Sequence, residues 1–339
     1  MSTPPLSPAH PFRWQDGERL VVFGRGRIAD ADQVLGDGYA LLTTPRAAET
    51  APAIVAGAAA VHHVPPGRVD ELAAGLRTQV QGDLLVALGG GRVIDTAKAL
   101  AAADPPRRVA AIPTTLSGAE MTPIHRHATG VPLQTPRVRP AVVLCDPALA
   151  SSQPLRELAQ SAGNALGHAV EGPLTPLSNP VAALAALQAA QLLQRSLATG
   201  DEPDLDGRDQ LALGALLAGY VIGSTGYGLH HVMSQTLVRF AGIGHGEANS
   251  IMLPHSARAL GRRFSGGFLE SMEQALGATP AALAERLRDL GGVSSLSQAG
   301  VARSALDECV EGAAARPELQ MTPPPADASE LRELYEAAY

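Results

Sequence analysis

Four residues on two stretches of this chain have the types and spacing to form one site. Residues 155–172, LRELAQSAGNALGHAVEG, repeat apolar side chains at helical spacing (Leu155, Leu158, Ala162, Leu166, Ala169), so Asn164 and His168, four apart, share a face. Residues 219–255 carry His231 on a second helix-like segment and His245 in a Gly-rich turn. An amide and three imidazoles converging on one cavity resemble a metal site, but a damaged one. An amide oxygen is a neutral, weaker ligand, and the set leaves a divalent cation without charge neutralisation. Taken singly, each histidine reads as a hydrogen-bonded core or surface residue; taken together they point to a site.

A second constellation lies earlier. Residues 83–100, DLLVALGGGRVIDTAKAL, read as strand, triple glycine and helix. Gly89, Gly90 and Gly91 let backbone N–H groups approach a pyrophosphate without interference from a Cβ, and the helix that follows brings its partly positive N-terminus to the same anion. This is not the G-x-G-x-x-G fingerprint, and a glycine cluster after a strand also reads as a tight turn. Residues 110–123, AAIPTTLSGAEMTP, end another strand with Thr114, Thr115 and Ser117, whose hydroxyls reach a ribose or an amide, or else cap a turn.

The elements that must position these groups divide the chain. Short apolar runs at 19–23, 39–44, 58–64, 83–88, 108–113 and 141–146 alternate with helix-like stretches at 68–80 and 93–103, the mark of a doubly wound parallel sheet. Ligands bind such sheets at the carboxyl ends of the strands. After Pro147 the strand signals stop, and Ala/Leu-rich periodic segments follow at 179–198, 206–222, 280–290 and 328–338. The expectation is a dinucleotide-binding α/β domain over 1–150 and an all-helical domain over 151–339. Asp327 with Glu330 is a capping-box pattern ahead of the last helix.

Composition excludes several classes. At 339 residues and 45% hydrophobic the chain buries a large core. A net charge of −7, with no basic block, argues against nucleic acid as a partner. The N-terminal residues lack an apolar signal core and no run approaches a membrane span, so the expectation is a cytoplasmic enzyme acting on a small molecule. Cys145 and Cys309 stand far apart, outside any C-x-x-C pair, and read as buried thiols.

GGGRVIDTAK, IPTTLSGAE, CDPAL, NALGHAVEG and GLHH…GIGHGEANSIMLPH resemble, in order and spacing, the motifs of the iron-containing (group III) alcohol dehydrogenase superfamily. AEMTPI, NALGHAVE and GLHH look most like its maleylacetate reductases. The resemblance implies a dinucleotide-binding α/β domain followed by a helical catalytic domain, NAD(H) or NADP(H) as cofactor, and a homodimer. It sets Gly89, Gly90, Thr114 and Thr115 on cofactor-contacting positions, with Gly91, Arg92 and Asp95 in the first of these stretches and Thr43 and Arg46 at the end of the second strand as further cofactor contacts. Residues 42–46, LTTPR, lack the acid that rejects a ribose 2′-phosphate.

Metal-dependent members hold their ion with an Asp and three His, positions that fall here on Asn164, His168, His231 and His245. Maleylacetate reductases resemble this chain in having Asn there and are regarded as needing no metal, so none is expected to be required. Another His one turn after His231 is usual in the group, and this chain has Gln235. Gln holds a carbonyl but relays no proton near neutral pH. The implied function is reduction of a small unsaturated oxo-acid, with His231 or His245 as acid, Asn164 and Gln235 orienting the substrate, and Arg126, His125 and His230 as further substrate contacts. The competing expectations are non-redox chemistry on the same scaffold, such as cyclisation, isomerisation or elimination, and a catalytically silent binding protein.

Overall fold

Alternate residues of an extended strand face opposite sides, and here both sides are apolar. In the strand Leu84–Gly89, Leu85 and Ala87 join one core while Val86 and Leu88 join another. Tyr39–Thr43 and Arg108–Pro113 divide the same way. Strands buried on both faces are those of a parallel sheet covered by helices. The structure, a computed structural model, describes residues 10–151, 153–264 and 266–339.

Among these residues one sheet of seven strands is formed by β1 (Phe12–Asp16), β2 (Arg19–Phe23), β3 (Tyr39–Thr43), β4 (Ala58–His63), β5 (Leu84–Gly89), β6 (Arg108–Pro113) and β7 (Val142–Cys145). Their order is β1-β2-β7-β6-β5-β3-β4. All neighbours are parallel except β1, which pairs antiparallel with β2 through a two-residue turn whose Gly17 has φ 61°. β1 lies outside the runs expected from sequence, because its alternation of Phe12 and Trp14 with Arg13 and Gln15 is short and half-exposed. Helices α1 (Ala31–Leu35), α2 (Pro45–Thr50), α3 (Pro52–Ala56), α4 (Val69–Leu76) and α5 (Gly91–Ala103) lie between the strands.

From residue 155 the chain is helical: α6 (Leu155–Glu171), α7 (Pro180–Ser196), α8 (Leu205–Thr225), α9 (Leu229–Phe240), α10 (His245–Arg263), α11 (Gly267–Leu276), α12 (Pro280–Leu290), α13 (Ala305–Ala314) and α14 (Ala328–Ala337). Their starts are written locally. Asn179, Asp204, Thr279 and Asp327 each accept a first-turn backbone N–H through the side chain, satisfying a donor that has no partner inside its helix. α6 is central, packing against α7, α10 and α12. No single helix among the described residues is long and apolar enough to cross a membrane.

The chain forms two compact units, Met1–Ser152 with Arg208–Leu216, and Gln153–Gly207 with Leu217–Tyr339. The middle of α8 thus belongs to the first unit, a return that the composition shift near residue 150 does not announce. Its Asp209 pairs with Arg25, and Arg208 Nη1 donates to Ala150 O at 3.3 Å.

Candidate functional site

Asn164, His168 and Glu171 lie along one face of α6, all buried. α9 begins with His230 and His231 in its first turn, where N–H groups lack intrahelical acceptors. Glu171 supplies them: Oε1 accepts the His230 N–H at 2.6 Å and Oε2 the His231 N–H at 3.4 Å. Oε2 also meets His231 Nδ1 at 2.8 Å. One carboxylate therefore starts the helix and orients the imidazole that the helix carries.

The other rings pack around that pair. His168 stacks on His231 with centroids 4.7 Å apart and planes at 25°, and His230 meets it edge-on at 4.7 Å. His230 Nδ1 donates to Ser256 Oγ at 2.9 Å, since that hydroxyl spends its own proton on Met252 O and Leu253 O. Gly167 makes room for them: a Cβ there would stand 2.7 Å from His230 Nε2 and 3.4 Å from His231 Cε1. His230 is fully buried, and its Nε2, like that of His231, has no hydrogen-bond partner. His245 does not sit in a turn. It is the exposed first residue of α10, and a charge on it would disfavour charge on His168, His230 and His231. Gln235, one turn beyond His231, accepts from Arg316 Nη2 at 3.1 Å.

Burial raises the Glu171 carboxyl and pushes His231 down to about 3. Both directions favour a buried pair without net charge. With two protons the pair carries no net charge, and across 2.8 Å that inventory is written as Glu171–OH with neutral His231, or as carboxylate with imidazolium. In either form Nε2 carries a hydrogen. That atom is buried and, like His168 Nδ1 and His230 Nε2, has no hydrogen-bond partner; carrying a hydrogen, it calls for an acceptor oxygen.

In the first unit, β5 delivers Gly89 to the turn and Gly90 caps α5. A Cβ on Gly90 would stand 3.1 Å from Thr115, and one on Gly91 3.1 Å from Ser117. The glycine turn at the N-terminus of the 13-residue α5 is thus packed against the side chains of Thr115 and Ser117, and its first-turn N–H groups make a cradle suited to a pyrophosphate. Arg92 and Arg46 are exposed, Thr114 and Thr115 half-buried. Thr43 is turned inward, its hydroxyl donating to Leu88 O at 2.9 Å, so it braces the strand ends. Asp95 pairs with Lys98 at 2.7 Å. Replacing Gly90 with Val is expected to weaken dinucleotide binding roughly 10–100-fold, the cost of overpacking at a close approach, while circular dichroism stays unchanged. An unaltered fluorescence titration with NADH would remove the cradle.

His125 is not available as a substrate ligand. Its Nδ1 donates to Arg126 O at 2.9 Å and its Nε2 accepts the Val138 N–H at 3.1 Å, so both nitrogens hold the 125–138 segment together. Arg126 is exposed and lies 3.9 Å from Asp70. Sequence reasoning missed Glu171, Lys98 and Arg316. Fully buried Lys98 donates to Ala119 O, Thr122 O and Ile124 O at 2.8–3.2 Å. A charged residue amid alanines, as in TAKALAAA and HAVEG, was the available signal.

Residues 19–147 match the model of iron-containing alcohol dehydrogenase, and residues 158–339 that of the C-terminal part of the Fe-containing alcohol dehydrogenase family. Among similar proteins, maleylacetate reductase 2 of Cupriavidus pinatubonensis is 38% identical over 255 residues, covering 70% of each chain. Maleylacetate reductase of Sphingobium indicum is 33% identical over 320 residues, 88% of this chain and 89% of its own. The crystal structure of maleylacetate reductase from Agrobacterium tumefaciens superposes with a TM-score of 0.82 at 28% identity, over 97% of this chain and 98% of its own. With both halves matched, and with a glycine cradle in one and an oriented imidazole in the other, the chain belongs to the iron-containing alcohol dehydrogenase family and is an NAD(P)-dependent oxidoreductase.

Proposed function

We propose that this enzyme reduces the carbon–carbon double bond of a small conjugated oxo-acid of the maleylacetate kind, with NADH or NADPH and without a required metal ion. The observation that carries the reading is the buried Glu171–His231 pair with its unpartnered Nε2. Bound in reduced form, the dinucleotide supplies a hydride. Conjugation with the ketone makes the distant alkene carbon the acceptor, and charge then develops on the ketone oxygen. His231 Nε2–H is placed to hydrogen-bond that oxygen and to release its proton to the resulting enolate. Glu171 stays as carboxylate on Nδ1, and the pair regains its proton from solvent. One hydride and one proton complete the saturated product.

The family name implies iron, and Asn164, His168, His231 and His245 are the residues that would hold it. They do not fit a tightly bound ion. The donors are neutral, and the carboxylate of Glu171 is committed to His231 Nδ1 and two backbone N–H groups. A buried divalent charge would lack compensation. Acceptance of NADPH is supported by β3 leading into Thr44, Pro45 and Arg46 with no acid. On family resemblance the same reading has the enzyme act as a cytoplasmic homodimer.

The test is consumption of NADH and NADPH on adding maleylacetate, before and after exhaustive chelation. Undiminished consumption is expected. Activity lost on chelation and restored by one metal would overturn metal independence, and product without nicotinamide turnover would overturn the reaction.

A further inference from the structure

Gln235, one turn beyond His231, holds a cation that the reaction above does not use. Arg316 leads into the turn Pro317–Met321, and its side chain reaches back to the His231 helix. Nη2 donates to Gln235 Oε1 at 3.1 Å and to Tyr227 Oη at 2.9 Å, and Nε donates to Glu318 Oε2 at 2.9 Å. Tyr227 in turn donates to Glu318 Oε1 at 3.1 Å. The Tyr227 ring stands 6.0 Å from that of His231, so a single aromatic side chain joins the guanidinium to the proton donor.

We propose that Arg316, aimed by Gln235, Tyr227 and Glu318, is a carboxylate subsite that fixes one end of the oxo-acid beside His231. The proposal rests on the oxo-acid reading above. Arginine recognises carboxylates through paired N–H groups, and the three bonds just described leave its Nη1 side outside them. The side chain is 24% exposed, open enough for a solute to reach and buried enough for charge to count. Three partners from three segments fix its direction before substrate arrives, which lowers the ordering cost of binding.

The arrangement also explains Gln235. An amide oxygen accepts from a guanidinium, whereas an imidazole at this place would meet the same cation and be driven to its neutral form. Gln235 therefore orients Arg316 and acts on the substrate through it. Arg126, expected from sequence to bind the carboxylate, lies 3.9 Å from Asp70. A fixed carboxylate is what a conjugated oxo-diacid needs for one alkene carbon, rather than its neighbour, to be presented for reduction.

The experiment compares wild type with Arg316→Gln, Arg316→Lys and Glu318→Gln on maleylacetate and on its two monomethyl esters. Losing a charge-assisted contact in Arg316→Gln is expected to raise KM for the diacid roughly 10–100-fold, with a much smaller change in kcat. One monoester, already lacking the recognised charge, should be affected far less than the diacid. Arg316→Lys should recover part of the loss, and Glu318→Gln, whose amide oxygen still accepts from Nε while the competing charge is gone, should lower KM for the diacid. Equal losses on the diacid and both esters, or an unchanged KM, would overturn the subsite. Thermal melts exclude unfolding as the cause. If wild type shows no turnover, calorimetry with the saturated product 3-oxohexanedioate separates the two readings: binding that is lost in Arg316→Gln upholds the subsite while the reaction fails, and no binding to wild type overturns the subsite.

Discussion

Glu171→Gln is expected to lower turnover roughly 10²–10⁴-fold, the usual worth of a positioned general acid. The amide has nearly the shape of the carboxyl but supplies only one acceptor oxygen. If that oxygen stays on His231 Nδ1, the amide nitrogen faces the His230 N–H, donor against donor, where Glu171 Oε1 now accepts at 2.6 Å. The imidazolium also loses its balancing charge, so the pair no longer holds a second proton. A stability loss of about 1–3 kcal/mol should accompany the change. NADH affinity should stay, because the glycine cradle belongs to the other unit. Single-turnover rates with saturating NADH are the measurement. Wild-type turnover of maleylacetate should decline as pH rises and the pair gives up its proton, and Glu171→Gln should lack that limb. A variant with wild-type turnover would leave His231 without a role for its partner.

Lys98→Met is expected to destabilise the protein by about 3–5 kcal/mol, the usual result of removing one member of a buried charged set. The side chain is fully buried, and its ammonium binds three carbonyl oxygens of the 119–124 segment as well as Asp95. Methionine matches the length and supplies no donor. The carbonyls of Ala119, Thr122 and Ile124 would be left without their partner, and Asp95 would lose its counter-charge. The same segment follows Thr115 and Ser117, which face the glycine cradle, so weaker NADH binding should appear together with the lowered urea midpoint. A midpoint equal to that of wild type would show that the segment is held by other means.

The parallel strands were legible because short β-branched runs alternate with helical spacing, and the helix starts were legible because Asn, Asp or Thr at a cap acts on its own first turn. Asn164 and His168 were legible as neighbours for the same local reason. What could not be read was pairing across the fold. Nothing within HAVEG says that Glu171 will meet a helix sixty residues later, and nothing in AARPELQ says that Arg316 will approach Gln235. His245 was misplaced because GIGHGE has the glycines of a turn, whereas Glu247 accepts the Gly244 N–H at 3.3 Å and starts a helix there. His125 read as a ligand because its residue type was visible and the backbone groups that occupy both its nitrogens were not.

The excursion of α8 bears on how this enzyme can be dissected or recombined. A fragment ending at residue 152 would lack Arg208–Leu216, and with it the carboxylate that pairs with Arg25 and the guanidinium that caps Ala150 O. The nucleotide-binding half is therefore not a cassette that can be lifted out by one cut. A chimera with a relative would have to exchange two separate pieces of chain.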